Sequence, residues 1–105
     1  IGAGFTAILC GSDSLATGGI FECLLHGFNV PNDISVVGFD DVKFAAALTP
    51  PLTTIRQERN DLGRCAYIIV NSVSHHIPIS RTQLRPMLIE RESTARVSTA
   101  HAAEE

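Results

Sequence analysis

Residues 35–41 read SVVGFDD: three residues of strand character, a glycine, an aromatic ring and then two adjacent carboxylates. Pro31, Asn32 and Asp33 precede the run as turn formers, so the chain enters a short extended segment and leaves it at Gly38. Upstream, FTAILCGS (5–12) repeats the arrangement, a continuous apolar run closed by glycine and serine. Runs that are apolar at every position fit strands buried on both faces of a parallel sheet. Between the two lies SDSLATGGIFECLLHG (12–27), with Ser12 or Asp13 placed to cap a helix. Ala16, Ile20, Cys23 and Leu24 follow at helical spacing, and Gly27 supplies the stop. Gly18 and Gly19 weaken that helix, and are read as letting a neighbouring element approach closely. The strand–helix–strand order predicts two adjacent parallel strands joined by a right-handed crossover.

Downstream, DVKFAAALTPP (41–51) reads as a short helix stopped by two prolines. LTTIRQ (52–57), rich in β-branched residues, is a third strand or a crossing segment. ERNDLGRCAYIIVNSVSHHIP (58–78) places Leu62, Cys65, Ala66, Ile69 and Val73 on one face of an amphipathic helix ended by Pro78. TQLRPMLIERE (82–92) is a last extended segment that Pro86 marks as an edge or crossing strand. STARVSTAHAAEE (93–105) is expected to be a polar, mobile tail.

The bulk numbers exclude several function classes. A chain of 105 residues allows one small domain at most, and 45% hydrophobic residues argue for a packed fold rather than disorder. The net charge is −3 and the arginines are scattered, so direct nucleic-acid binding by this segment is not expected. No apolar stretch reaches the roughly 18 residues of a membrane span. Cys10, Cys23 and Cys65 form an odd, widely spaced set, which fits a reducing, cytoplasmic setting. The chain opens on Ile1 and reads as a piece of something larger.

In an open parallel sheet, ligands bind beyond the carboxyl ends of the strands. Two such ends are visible, GSDS (11–14) and GFDD (38–41), and they make Ser12, Asp13, Asp40 and Asp41 one constellation. Capping of the following helices is the first expectation for Asp13 and Asp41. Asp40 is the residue expected to face a cleft. Nucleophilic catalysis has no G-x-S-x-G elbow behind it, and no histidine pair or Cys/His pair suggests a metal. His75 and His76 stand at a helix C-terminus, where imidazole suits the macrodipole.

The series VPNDISVVGFDD, TPPLTTIRQ, LGRCA and LIERES, in that order and spacing, resembles the sensor core of the LacI/GalR family of bacterial transcriptional regulators. The resemblance runs from about Phe5 to Ser93. It implies an α/β, parallel-sheet, periplasmic-binding-protein-like (type I) fold, present in part, with a small polar effector (a sugar, or a nucleoside or purine) in the cleft between two subdomains. Residues 1–57 would belong mainly to the C-terminal subdomain, the helix 58–79 to the N-terminal one, 82–93 to a returning strand and 94–105 to a flexible tail. Asp40, Ser12 and Asp13 would bind the effector, and Ala16, Thr17, Ile20, Phe44 and Ala47 would lie at a homodimer interface. No catalytic residue, cofactor, metal or membrane is implied, and DNA would be reached only through a helix-turn-helix region outside this chain. A periplasmic sugar-binding protein of a transport system shares the fold and is the competing reading.

Overall fold

A computed structural model describes residues 4–97. The chain divides into two compact units, Ile1–Arg56 with Leu88–Glu105, and Gln57–Met87.

The first unit is built on the strand–helix–strand segment. Strand β1 (Ala7–Leu9) and strand β2 (Ser35–Val37) pair in parallel, with Ala7 opposite Ser35 and Leu9 opposite Val37. This is the pairing the two apolar runs predict. Helix α1 (Asp13–Leu25) connects them. Ser12 is its N-cap, its hydroxyl accepting from the Leu15 N–H at 3.1 Å. At the other end Gly27 has φ +82°, its N–H bonds the Leu24 carbonyl, and the Phe28 N–H reaches back to Cys23. Those two bonds form a Schellman stop, which is why a glycine is needed there.

Ala16, Ile20 and Cys23 turn from α1 onto Val30, Ile34, Val36, Ala45 and Leu52 to make the core. A parallel bridge from Val37 to Thr53 brings the next segment alongside β2. Strand β3 (Thr54–Arg56) continues it, and strand β4 (Met87–Ile89) pairs with β3 in a second two-stranded sheet. The expected helix after Asp41 is a single 3-10 turn, Lys43–Ala47, with only Ala45 buried.

The segment after β4 differs from expectation. Ser93 is wholly buried; its hydroxyl donates to the Val36 carbonyl at 2.6 Å and accepts from the Thr53 N–H at 2.8 Å. Thr94 bonds Thr53 side chain to side chain, and Ala95 N–H donates to the Ser35 hydroxyl. The start of the polar tail is thus stitched to β2 and to the lead-in of β3, whose buried backbone groups need partners. The remainder of that tail, 98–105, lies outside the described residues.

A Cβ at Gly18 or Gly19 would meet nothing within 4 Å, so among the described residues no element of this chain makes the close approach expected at the glycine pair.

In the second unit, helix α2 (Arg59–Ser74) carries the expected apolar stripe, yet none of its residues is buried. It also ends in a Schellman stop, with His76 at φ +56° and Ile77 N–H bonded to the Ser72 carbonyl. The His75 ring lies against the Asn71 carbonyl, so both histidines serve the helix terminus, as their position suggests. Among the described residues no helix is long and apolar enough to cross a membrane.

Candidate functional site

The two strand ends of the first unit meet through the backbone. Cys10 N–H donates to the Val37 carbonyl at 2.8 Å, and Asp13 N–H donates to the Phe39 carbonyl at 2.9 Å. The start of α1 and the loop after β2 therefore share one edge of the sheet, where strand carboxyl ends place binding sites.

Four acids or hydroxyls were expected to converge there, and they take four different roles. Asp13 is wholly buried. Its Oδ1 accepts from the Thr54 hydroxyl at 2.6 Å and its Oδ2 from the Val42 N–H at 2.8 Å. Its carboxylate thus faces inward, onto Thr54 and Val42. It does not cap its own helix; it satisfies the backbone at the head of the 3-10 turn instead. Ser12 is half-buried at the N-cap, where it uses its hydroxyl oxygen as an acceptor and keeps a proton to donate.

Asp40 and Asp41 have φ of +112° and +53°, two successive non-glycine residues in the left-handed half of conformational space. Each such residue costs on the order of 1–3 kcal/mol and persists only where surrounding contacts fix it. Asp40 N–H is bonded to the Ile55 carbonyl at 2.9 Å, and its side chain is half-buried at the end of β2. Asp41 caps nothing. Its Oδ2 accepts from Arg56 Nε at 2.7 Å and its Oδ1 from Arg91 Nη2 at 2.8 Å. Arg91 is itself fixed, since Nη1 donates to the Leu52 carbonyl and its backbone N–H to the Thr53 hydroxyl.

Arg56, Arg91 and Thr54 are the residues that sequence reading missed. The signal was present: two adjacent carboxylates at a buried strand end require compensating donors, and an arginine lies in each segment that crosses there.

Burial of Asp41 by itself would push its carboxyl up, but hydrogen bonds and charge from Arg56 and Arg91 outweigh that and hold it below the ordinary 3.8. A carboxyl lowered by folding adds stability above its unfolded pKa and loses it as pH falls through the lower folded value. Wild type should therefore be more stable than Asp41→Asn at pH 6, with the gap closing below about pH 4. Urea midpoints of both proteins across pH 6 to 3 check this; a gap that stayed constant would remove the ion pairs as its cause.

The residues expected at a dimer surface separate into two groups. Ala16 and Ile20 are 0% and 5% exposed and belong to the chain's own core, so they are not available to a second subunit. Thr17 is half-buried and donates to the Asp13 carbonyl, while Phe44 and Ala47 are exposed. The outward face of α1 instead carries Leu15, Phe21 and Leu25, all about two-thirds exposed. Among the described residues no group of three or more His, Cys, Asp or Glu could hold a metal ion. Cys10, Cys23 and Cys65 are free thiols. Burial pushes the Cys10 and Cys23 thiols up, away from thiolate reactivity.

Comparison with known proteins gives the site a context. The family model for the periplasmic binding protein-like domain matches residues 4–94. The ribose operon repressor of Escherichia coli is 38% identical over 90 residues, covering 83% of this chain and 27% of the repressor. The HTH-type transcriptional repressor PurR of Erwinia tasmaniensis is 40% identical over 92 residues, covering 86% of this chain and 27% of that protein. The chain thus spans about a quarter of the length of the curated relatives it matches. Among solved structures, the lac repressor dimer bound to operator and the anti-inducer ONPF superposes with a TM-score of 0.80 at 34% identity, covering 87% of this chain and 32% of that one. The complex of the transcriptional regulator CelR with cellobiose gives 0.74 at 30% identity, covering 83% of this chain and 27% of that one.

Proposed function

This chain belongs to the periplasmic binding protein-like domain family, among LacI-type transcription regulators, and from that premise we propose that it is the effector-sensing part of such a regulator. The effector is a small polar molecule of the sugar or nucleoside and purine class. Asp40 is its direct ligand, with the Ser12 hydroxyl beside it. The observation that carries this is the backbone of Asp40: a non-glycine residue held at φ +112° at the end of a buried strand. Strain of that kind marks places where a side chain must point in one direction. A carboxylate there can accept paired hydroxyls, the hydrogen-bonding pattern that sugars and ribose offer.

The unit Gln57–Met87 is the contribution to the N-terminal subdomain, which accounts for the exposure of α2's apolar stripe. The intact protein is a cytoplasmic homodimer that reaches DNA through a region outside this chain. Effector binding shifts subdomain closure and so operator affinity. A transport-system sugar-binding protein is the weaker reading, because the relatives named above are repressors and regulators.

In the intact protein, Asp40→Asn should weaken effector binding by roughly 1.5–3 kcal/mol, the range for hydrogen bonds to charged groups. Calorimetric titration with whichever of ribose, cellobiose or a purine base shifts wild-type melting measures it. Unchanged affinity in a folded variant would refute the assignment of Asp40.

A further inference from the structure

Two arginines hold the Asp41 carboxylate, and they stand where the chain changes units. The chain leaves the first unit after Arg56 and returns to it at Leu88. Arg56 is the last residue before the departure, and Arg91 follows the return by three positions. Each arginine takes a different oxygen of the one carboxylate, at 2.7 and 2.8 Å. The side chains of Asp41 and Arg91 are 8% and 16% exposed, so that pair is mostly enclosed, while Arg56 is 41% exposed and closes the cluster from the solvent side.

Stability alone is a poor account of such a cluster. An enclosed ion pair gains little over an apolar replacement of similar volume, because desolvation offsets the attraction. What it does supply is direction: the planar guanidinium of Arg91 spans the Leu52 carbonyl and Asp41 Oδ1, which fixes where that carboxylate can lie. The Asp41 N–H is also directed, toward the Thr54 hydroxyl at 3.4 Å. Asp40 and Asp41 share a peptide plane, so holding Asp41 at φ +53° limits the orientations open to Asp40 at φ +112°.

We infer that Asp41, with Arg56 and Arg91, is the positioning group of the effector site, fixing the left-handed conformation of Asp40 and tying both chain crossings to it. This rests on Asp40 being an effector ligand. Asp41 itself touches no effector; it acts through its neighbour.

The experiment is a double-mutant cycle in the intact protein, titrated calorimetrically with whichever of ribose, cellobiose or a purine base shifts wild-type melting. Asp41→Asn and Arg91→Met should each weaken binding by about tenfold, a loss of the size expected for a charge-assisted bond. In an Asp40→Asn background the same changes should cost less than about threefold, since the group they position is already gone. Arg91→Lys, which keeps the charge but not the fork, should recover only part of the loss. Where Asp41→Asn does not fold, Asp41→Glu keeps the charge, lengthens the arm by one methylene and should show the same dependence on Asp40. Equal losses with and without Asp40, or unchanged affinity in Asp41→Asn, overturn the positioning role. Unchanged affinity in Asp40→Asn alone overturns the effector reading beneath it, and the two failures are told apart by which single variant is silent.

Discussion

Gly38→Ala is expected to cost about 3–5 kcal/mol, enough to leave little folded protein. The reason is space rather than backbone freedom, since Gly38 is not among the residues with positive φ. A Cβ at this position would run into the Asp13 carboxylate oxygen, lie 2.9 Å from Leu52 Cδ2 and 3.3 Å from Asp13 Cα. The last of these is backbone and cannot turn aside. The carboxylate could move only by releasing the Thr54 hydroxyl and the Val42 N–H, both bonds to a charged acceptor. Overpacking and loss of those bonds therefore add. Gly18→Ala and Gly19→Ala are the controls: each meets open space in a helix and should gain roughly 0.5–1 kcal/mol. Urea denaturation of the three variants tests the contrast, and a Gly38→Ala protein within 1 kcal/mol of wild type would mean the loop can shift where the packing says it cannot.

Gly38 also shows where sequence reading succeeds and where it stops. A glycine closing an apolar run predicts a strand end, and β2 ends there. The same reading gave the parallel β1–β2 pair, the Ser12 cap and the Gly27 stop, because each rests on a local preference that holds whatever surrounds it. The phase of α1 was harder. Leu15, Ile20, Phe21, Leu24 and Leu25 are apolar all round the helix, so no stripe singles out the inward face. The resemblance places Ala16 and Ile20 at a homodimer interface, whereas the structure buries them, with Cys23, in the chain's own core. The roles of the four strand-end residues were illegible for a different reason. Which carboxylate serves Val42 and Thr54 and which pairs with arginine depends on Thr54, Arg56 and Arg91, which lie 13 to 50 residues beyond Asp41. No local spacing rule connects groups at that distance. Only the crossing of β3 and the segment after β4 brings them together.

Asp13→Ala should be the second large loss, about 3 kcal/mol, although Asp13 lies beside a proposed binding cleft. Removing its carboxylate leaves the Thr54 hydroxyl and the Val42 N–H without their acceptor, at about 1–3 kcal/mol for each buried group so orphaned. A further few tenths come from losing a negative charge in the first turn of α1. Asp13→Asn keeps the shape and one acceptor oxygen. That oxygen can serve Val42, while the amide N–H₂ faces a Thr54 hydroxyl able to turn and accept, so the loss should be about half as large. Thr54→Val in the Asp13→Asn background should then cost less than Thr54→Val alone, since the two residues share one bond. Urea midpoints give all of these values. The affinity of the folded Asp13→Asn protein for its effector decides what the carboxylate is for. An inward-facing support should leave that affinity within about threefold of wild type, well under the kilocalorie-scale change of a lost contact. A variant of full stability that no longer bound effector would instead place the Asp13 carboxylate against the ligand.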